Sequence, residues 1–199
     1  MTRLSAFTYA LLALVFGLAL AFGGPESALD RSLLAAMHID ALVDPARILT
    51  RLGDWYGYFT IGAVAALWLA WRRHRREALL LVALLLSERL LVTLLKLLFG
   101  RSRPDPLGHL DSVHTLSFPS GHSTNAMTLA LGLALLLAPE RHRKPALAAA
   151  LLFAFAVGAT RLVLGVHWPS DVAAGWALGA LWTMLLLRLT AGTSLSPRH

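Results

Sequence analysis

Residues 78–99 read ALLLVALLLSERLLVTLLKLLF, and the fold class turns on this run. A helix needs about 20 mostly apolar residues to cross the hydrocarbon core of a bilayer. Here the apolar pattern is broken only by Ser87, Glu88, Arg89, Thr93 and Lys96. Five other stretches approach it: Leu4 to Phe22, Trp55 to Trp71, His122 to Ala138, Ala146 to Val166 and Asp171 to Leu187. The expectation is one all-α domain over residues 1–199, a bundle of six transmembrane helices whose short linkers force neighbours antiparallel. A composition of 57% hydrophobic and 15% charged residues, with a mean hydropathy of +0.64, is too apolar for an ordinary soluble domain.

Zero cysteines exclude a disulfide scaffold, a thiolate metal site and a catalytic thiol. A net charge of +7 would suit nucleic acid in a soluble chain. Its placement argues otherwise. With a cytoplasmic N-terminus, Arg3, the arginines at 72, 73, 75 and 76, Arg141, Arg143, Lys144, Arg188 and Arg198 all fall inside. The positive-inside rule then puts both termini in the cytoplasm, in a multi-pass protein of the plasma (inner) membrane. No groove-reading motif or aromatic-basic platform accompanies the charge, so no nucleic-acid partner is expected.

The first apolar run exceeds the 7 to 15 residues usual for a signal-peptide core, so it is expected to stay as a span. Residues Ser27 to Leu52 mix apolar and charged side chains in the manner of short amphipathic helices at the outer interface, with Asp44-Pro45 separating two of them. Gly192 to His199 reads as a frayed tail. Gly175 and Gly179 form a Gly-x-x-x-Gly pair suited to close helix contact. Packing within the monomer is preferred, and contact with a second copy, giving a homodimer, is the alternative.

Ionisable groups near hydrocarbon are costly and call for a reason. Lys96, Arg101, Arg103, Ser120, His122, Arg161, His167 and Asp171 all fall at the outer ends of the last four spans or in the loops joining them. Cations, guanidinium forks and the N–H groups of a helix start suit an oxyanion. In Pro119-Ser120-Gly121-His122, Ser120 is a natural N-cap, Gly121 lets backbone approach a ligand, and His122 sits in the first turn. An ordinary capped helix explains these four residues equally well.

Arg161-x5-His167-x3-Asp171 is more specific, since chance would give that spacing about 0.02 times in a chain of this composition. Pro169 suits the first turn of the last span, which sets Asp171 near that helix's positive end. From there its carboxylate can fix the His167 tautomer and free the other ring nitrogen for attack. The plain reading is an interfacial histidine beside Trp168. In Lys96-x6-Arg103-Pro104, Gly100 ends the third span and lets Arg103 fold back toward Lys96. Snorkelling accounts less well for these two cations, whereas for Arg101 contact with lipid headgroups is the preferred reading. Glu88 and Arg89 lie near mid-membrane and are expected to be held by partners inside the bundle, beneath the site.

Together, Lys96-x6-Arg103-Pro104, Pro119-Ser120-Gly121-His122 and Arg161-x5-His167-x3-Asp171 resemble, in order and separation, the three-part signature of the type-2 phosphatidic acid phosphatase superfamily. The resemblance covers Lys96 to Asp171, and six spans agree with the membrane branch of that family. It implies hydrolysis of a phosphomonoester or diphosphate through a phosphohistidine, without metal or other cofactor. His167 would be the nucleophile, Asp171 its partner and His122 the leaving-group acid. Lys96, Arg103, Ser120, Gly121 and Arg161 would hold the phosphoryl oxygens. Thr160 departs from the serine common in the family before the third-motif arginine.

The expected function is thus a membrane lipid phosphatase acting on a lipid phosphate or diphosphate at the non-cytoplasmic face. Undecaprenyl diphosphate is favoured over phosphatidylglycerophosphate or phosphatidate. A lipid phosphotransferase would use the same intermediate. A transporter of anions or lipids would instead need polar residues along several spans, and the first, second, fourth and fifth have almost none at mid-membrane.

Overall fold

The computed structural model describes residues 6–37, 39–104 and 115–191, and these described residues form eight α-helices. These are α1 (Ala6–Phe22), α2 (Ala28–Met37), α3 (Val43–Thr50), α4 (Trp55–Trp71), α5 (Arg75–Phe99), α6 (Gly121–Leu137), α7 (Arg143–Val163) and α8 (Pro169–Ala191). The described residues contain no strand. Arg3, Arg198 and the tail from Gly192 lie outside them.

The helix boundaries follow local chemistry. Asp54 caps α4, its carboxylate accepting from the Gly57 N–H at 2.8 Å. Gly100, at φ +60°, ends α5 in the left-handed conformation, its N–H donating to the Lys96 carbonyl. Helix α7 stops at Val163, three residues before the expected end. There Val166 N–H donates to the Arg161 carbonyl and Gly165 N–H to that of Leu162, with Gly165 at φ +67°. This is a Schellman termination, and it turns the chain back so that His167 points into the bundle. Pro169 opens α8 as expected. Asp44-Pro45 does not separate two helices: Pro45 lies in the first turn of α3, where a missing N–H costs no helical bond, and α3 follows directly on a 3-10 turn at Asp40–Leu42.

Among the described residues, three helical segments are long and apolar enough to cross a bilayer: Arg75–Phe99, Glu140–Val163 and Pro169–Thr190. Ala6–Phe22 and Gly121–Leu137 are shorter apolar helices, and α4 also has 17 residues. At 1.5 Å per residue, 17 residues span about 25 Å, slightly less than the core of a typical bilayer. Apolar side chains cover the outside of the bundle: Phe7, Trp71, Leu97 and Leu152 are each more than 70% exposed. Such a surface needs a non-aqueous neighbour.

At the centre, α6 packs against both α7 and α8. A Cβ on Gly175 would lie 2.7 Å from the Ser120 carbonyl oxygen, and one on Gly179 would lie 2.8 Å from that of Thr124. The glycine pair therefore serves contact within the monomer. This contact brings the first turns of α6 and α8 side by side, and Ser120 N–H donates to the Asp171 carbonyl at 3.0 Å. Helix α1 flanks α8. Arg76, at the start of α5, donates to the Thr190 carbonyl near the end of α8, so the basic linkers gather at the end of the bundle opposite Asp171.

Candidate active site

The chain brings the polar residues singled out above to one end. A cavity of about 480 Å³ there is lined by Lys96, Arg103, Gly121, His122, Arg161 and His167, together with Arg89, Asn125 and the rim residues Trp55 and Leu97. Three separate segments thus place four cations and two imidazoles around one space.

His167 is 1% exposed and fixed on both ring nitrogens. Its Nδ1 lies 3.3 Å from Asp171 Oδ2, and its Nε2 lies 3.0 Å from Arg103 Nη1. A guanidinium can only donate, so Nε2 is the unprotonated nitrogen and Nδ1 carries the hydrogen. Burial, followed by the charges of Arg103, Lys96 and Arg161, holds the His167 pKa well below its ordinary 6.5. The ring is therefore neutral at physiological pH, with its lone pair toward the cavity.

Asp171 is fully buried and all its oxygens are engaged. Oδ2 accepts from the Trp168 N–H at 3.0 Å, the reciprocal half of a capping box at the start of α8. The Ser117 hydroxyl donates to the same oxygen and lies 3.3 Å from His167 Nδ1. Oδ1 accepts from Arg101 Nη1 at 2.9 Å. Arg101 is thus not a headgroup contact. Its Nη2 donates to the carbonyls of Ala19 and Leu20, which have no acceptor role left within the last turn of α1, and its guanidinium lies 4.3 Å from the Phe118 ring centre. A buried carboxylate needs a buried counter-charge, and Arg101 supplies it.

The remaining cations are positioned by backbone oxygens. Lys96 Nζ donates to the Leu116 carbonyl and more weakly to that of Ser117. Arg103 also donates to the Thr115 and Val166 carbonyls, each at 2.6 Å. Arg161 is 1% exposed and its Nη1 donates to the Thr50 hydroxyl at 2.6 Å, so α3 takes part in holding it. His122 lines the cavity and makes no hydrogen bond with a described residue through its ring. The Ser120 hydroxyl sits just behind the wall, accepting from Ser123 Oγ at 3.1 Å, and does not act as a side-chain cap for α6. Thr160 turns its hydroxyl to its own helix, onto the Val157 carbonyl at 2.6 Å. Among the described residues, no three His, Asp or Glu side chains cluster as a metal ligand set.

Reading the sequence missed Arg101 as an ion-pair partner, Ser117, Thr50, and Asp30, whose carboxylate accepts from the Ser170 N–H at the start of α8 and from the Gly24 N–H just after α1. Arg101 and Ser117 lie 70 and 54 residues from Asp171, where no periodicity could connect them.

Fold and site together define an apolar helical bundle that encloses an oxyanion cradle around a carboxylate-oriented histidine. The chain belongs to the PAP2 superfamily, whose sequence profile matches residues 77–193. It is 36% identical over 142 residues to a decaprenylphosphoryl-5-phosphoribose phosphatase of Mycobacterium tuberculosis, a match covering 68% of this chain and 73% of that one. It is 37% identical over 121 residues to phosphatidylglycerophosphatase B of Bacillus subtilis, covering 57% of this chain and 58% of the relative. Its fold matches the crystal structure of a transmembrane PAP2-type phosphatidylglycerolphosphate phosphatase from Bacillus subtilis at a TM-score of 0.84 and 26% identity, over 96% of this chain and 100% of that one.

Proposed function

We propose that this protein is a six-span membrane phosphatase that removes a terminal phosphoryl group from a lipid phosphate or diphosphate through a phosphohistidine at His167. One observation carries the reading: a neutral imidazole, its tautomer fixed by Asp171 and Arg103, presents its lone pair to a cavity walled by Lys96, Arg103 and Arg161. Relatives named as phosphatases of lipid-borne phosphates support the reaction class. The preferred substrate is an isoprenoid diphosphate such as undecaprenyl diphosphate.

The reaction follows from the geometry. An arriving phosphoryl group offers Arg103 a stronger, charge-assisted acceptor than imidazole, which draws the guanidinium off Nε2. Nε2 then attacks phosphorus in line while the bond to the leaving oxygen breaks, and the cations and the Gly121 backbone balance the phosphoryl charge. His122 donates a proton to the leaving oxygen. The imidazolium that forms at His167 is stabilised by Asp171. Water enters where the leaving group departed, His122 takes its proton, and the P–N bond breaks to release phosphate and restore the neutral ring. The site opens at headgroup depth on the non-cytoplasmic side, opposite the arginine-rich linkers.

Purified protein in detergent, with chelator present, tests this against a panel of polyprenyl diphosphate, phosphatidylglycerophosphate and phosphatidate. Phosphate release is expected from at least one, with a loss of about 10³-fold in His167→Ala and in His122→Ala. Labelled substrate should leave an acid-labile phosphoryl group on the wild type and none on His167→Ala. Undiminished turnover in His167→Ala overturns the mechanism.

A further inference from the structure

Arg89 belongs to none of the three sequence motifs, yet it lines the same cavity as His167. It lies seven residues before Lys96 on α5, close to two full turns, so both face the same way at depths about 10 Å apart. Its guanidinium is partly buried and makes no hydrogen bond or ion pair with a described residue. Glu88 gives Oε2 to the Tyr58 hydroxyl at 2.6 Å, and its buried Oε1 has no hydrogen-bond partner among the described residues. Glu88 feels the charge of Arg89 but forms no ion pair with it, so Glu88 is held inside the bundle by Tyr58 while Arg89 faces the cavity, contrary to the expectation that partners inside the bundle hold both. Such a placement is costly enough to require a ligand or a function.

The shape of the cavity indicates what passes it. Lys96 is drawn to the Leu116 and Ser117 carbonyls, and the Ser117 hydroxyl lies 3.3 Å from His167 Nδ1. Trp55 and Leu97, 50% and 71% exposed, also line the cavity, and Leu97 continues onto the exposed leucines of α5. An amphiphile whose terminal phosphoryl group meets His167 must place the link between head and tail in the rest of this cavity, which Arg89 also lines.

We infer that Arg89 forms a second anion subsite, which binds a phosphate on the tail side of the scissile one and selects substrates carrying two phosphates. The inference rests on the proposed phosphatase reading and deepens it. The inner phosphate has two sources: the leaving half of a diphosphate, joined directly, or a phosphodiester joined through a small headgroup. In the first case Arg89 also stabilises charge on the departing phosphate as the P–O bond breaks. In the second it only positions the substrate.

The test compares wild type, Arg89→Gln and Arg89→Lys on three substrates: a polyprenyl diphosphate, the monophosphate of the same tail, and phosphatidylglycerophosphate. Arg89→Gln should lower kcat/KM by about tenfold or more wherever an inner phosphate is present, as expected for a lost charge-assisted hydrogen bond. The monophosphate rate should change less than about twofold, and lysine should restore most of the loss. A fall in kcat on the diphosphate points to the direct linkage, and a rise in KM on phosphatidylglycerophosphate alone points to the phosphodiester. Equal losses on all three substrates, or no loss on any, overturn the subsite while leaving the phosphatase reading intact. Absence of hydrolysis by wild type on every substrate overturns both.

Discussion

The proposed attack needs His167 unprotonated at Nε2, and the surroundings favour that by disfavouring the charged ring. The sign is definite: burial and three cations lower the pKa, so the folded protein takes up a proton at this residue only at a pH well below 6.5. In the unfolded chain the same ring protonates near 6.5, so acidification through that value favours unfolding, and above it His167 contributes no pH dependence. Histidine ¹⁵N spectra of the substrate-free protein should show His167 still neutral at pH 6.5, and an inflection at or above that value would contradict the electrostatics. Arg101→Met should cost about 3 kcal/mol, because it strands a buried carboxylate, and it should lower kcat more than it raises KM. Chemical denaturation and steady-state kinetics in the same detergent check both halves. The motif residues that line the cavity were legible from residue type and spacing, because those types are expensive near lipid. Arg101 was misread because an arginine at a span end looks the same whether it faces headgroups or an aspartate from the far end of the sequence.

The helices were legible wherever the apolar run and its punctuation agreed. Trp55–Trp71 appears with its expected ends because Asp54 and the arginines after Trp71 bracket it. The end of α7 was placed too late because Val163, Leu164 and Val166 continue the apolar run while Gly165 alone carries the stop. The contact between α6 and α8 offers a direct test of how packing serves chemistry. Gly175→Ala would press a methyl group onto the Ser120 carbonyl and Ser123, an overpacking worth roughly 1–3 kcal/mol. Since His122 and Asp171 stand in the first turns of these two helices, activity should fall further than the yield of folded protein. Gly17→Ala is the control, with nothing within 4 Å of the added carbon. It should leave activity unchanged and raise stability slightly through better helix propensity. Comparable loss in both variants would show that packing between α6 and α8 does not govern the site.

The proposed orientation in the membrane rests on charge asymmetry, and the absence of cysteine makes it measurable. Single cysteines at the exposed Glu26 and Lys144 positions lie at opposite ends of the bundle in the proposed topology. An impermeant maleimide added to intact spheroplasts should modify Glu26→Cys and spare Lys144→Cys, and the reverse pattern would invert the site's side. The six-span reading needs α1, α4 and α6 to cross with about 25 Å of helix each, a shortfall that a thinned bilayer or flanking residues can absorb. One bond has a wider consequence. The guanidinium of Arg101 joins the carbonyls of Ala19 and Leu20 to the carboxylate of Asp171, so α1 and α8 are clamped by a single side chain. In the proposed mechanism the carboxylate that orients the nucleophile is thus tethered to a helix that supplies no residue of the cavity wall. A substitution in α1 that loosens this grip should therefore slow the chemistry without touching the substrate.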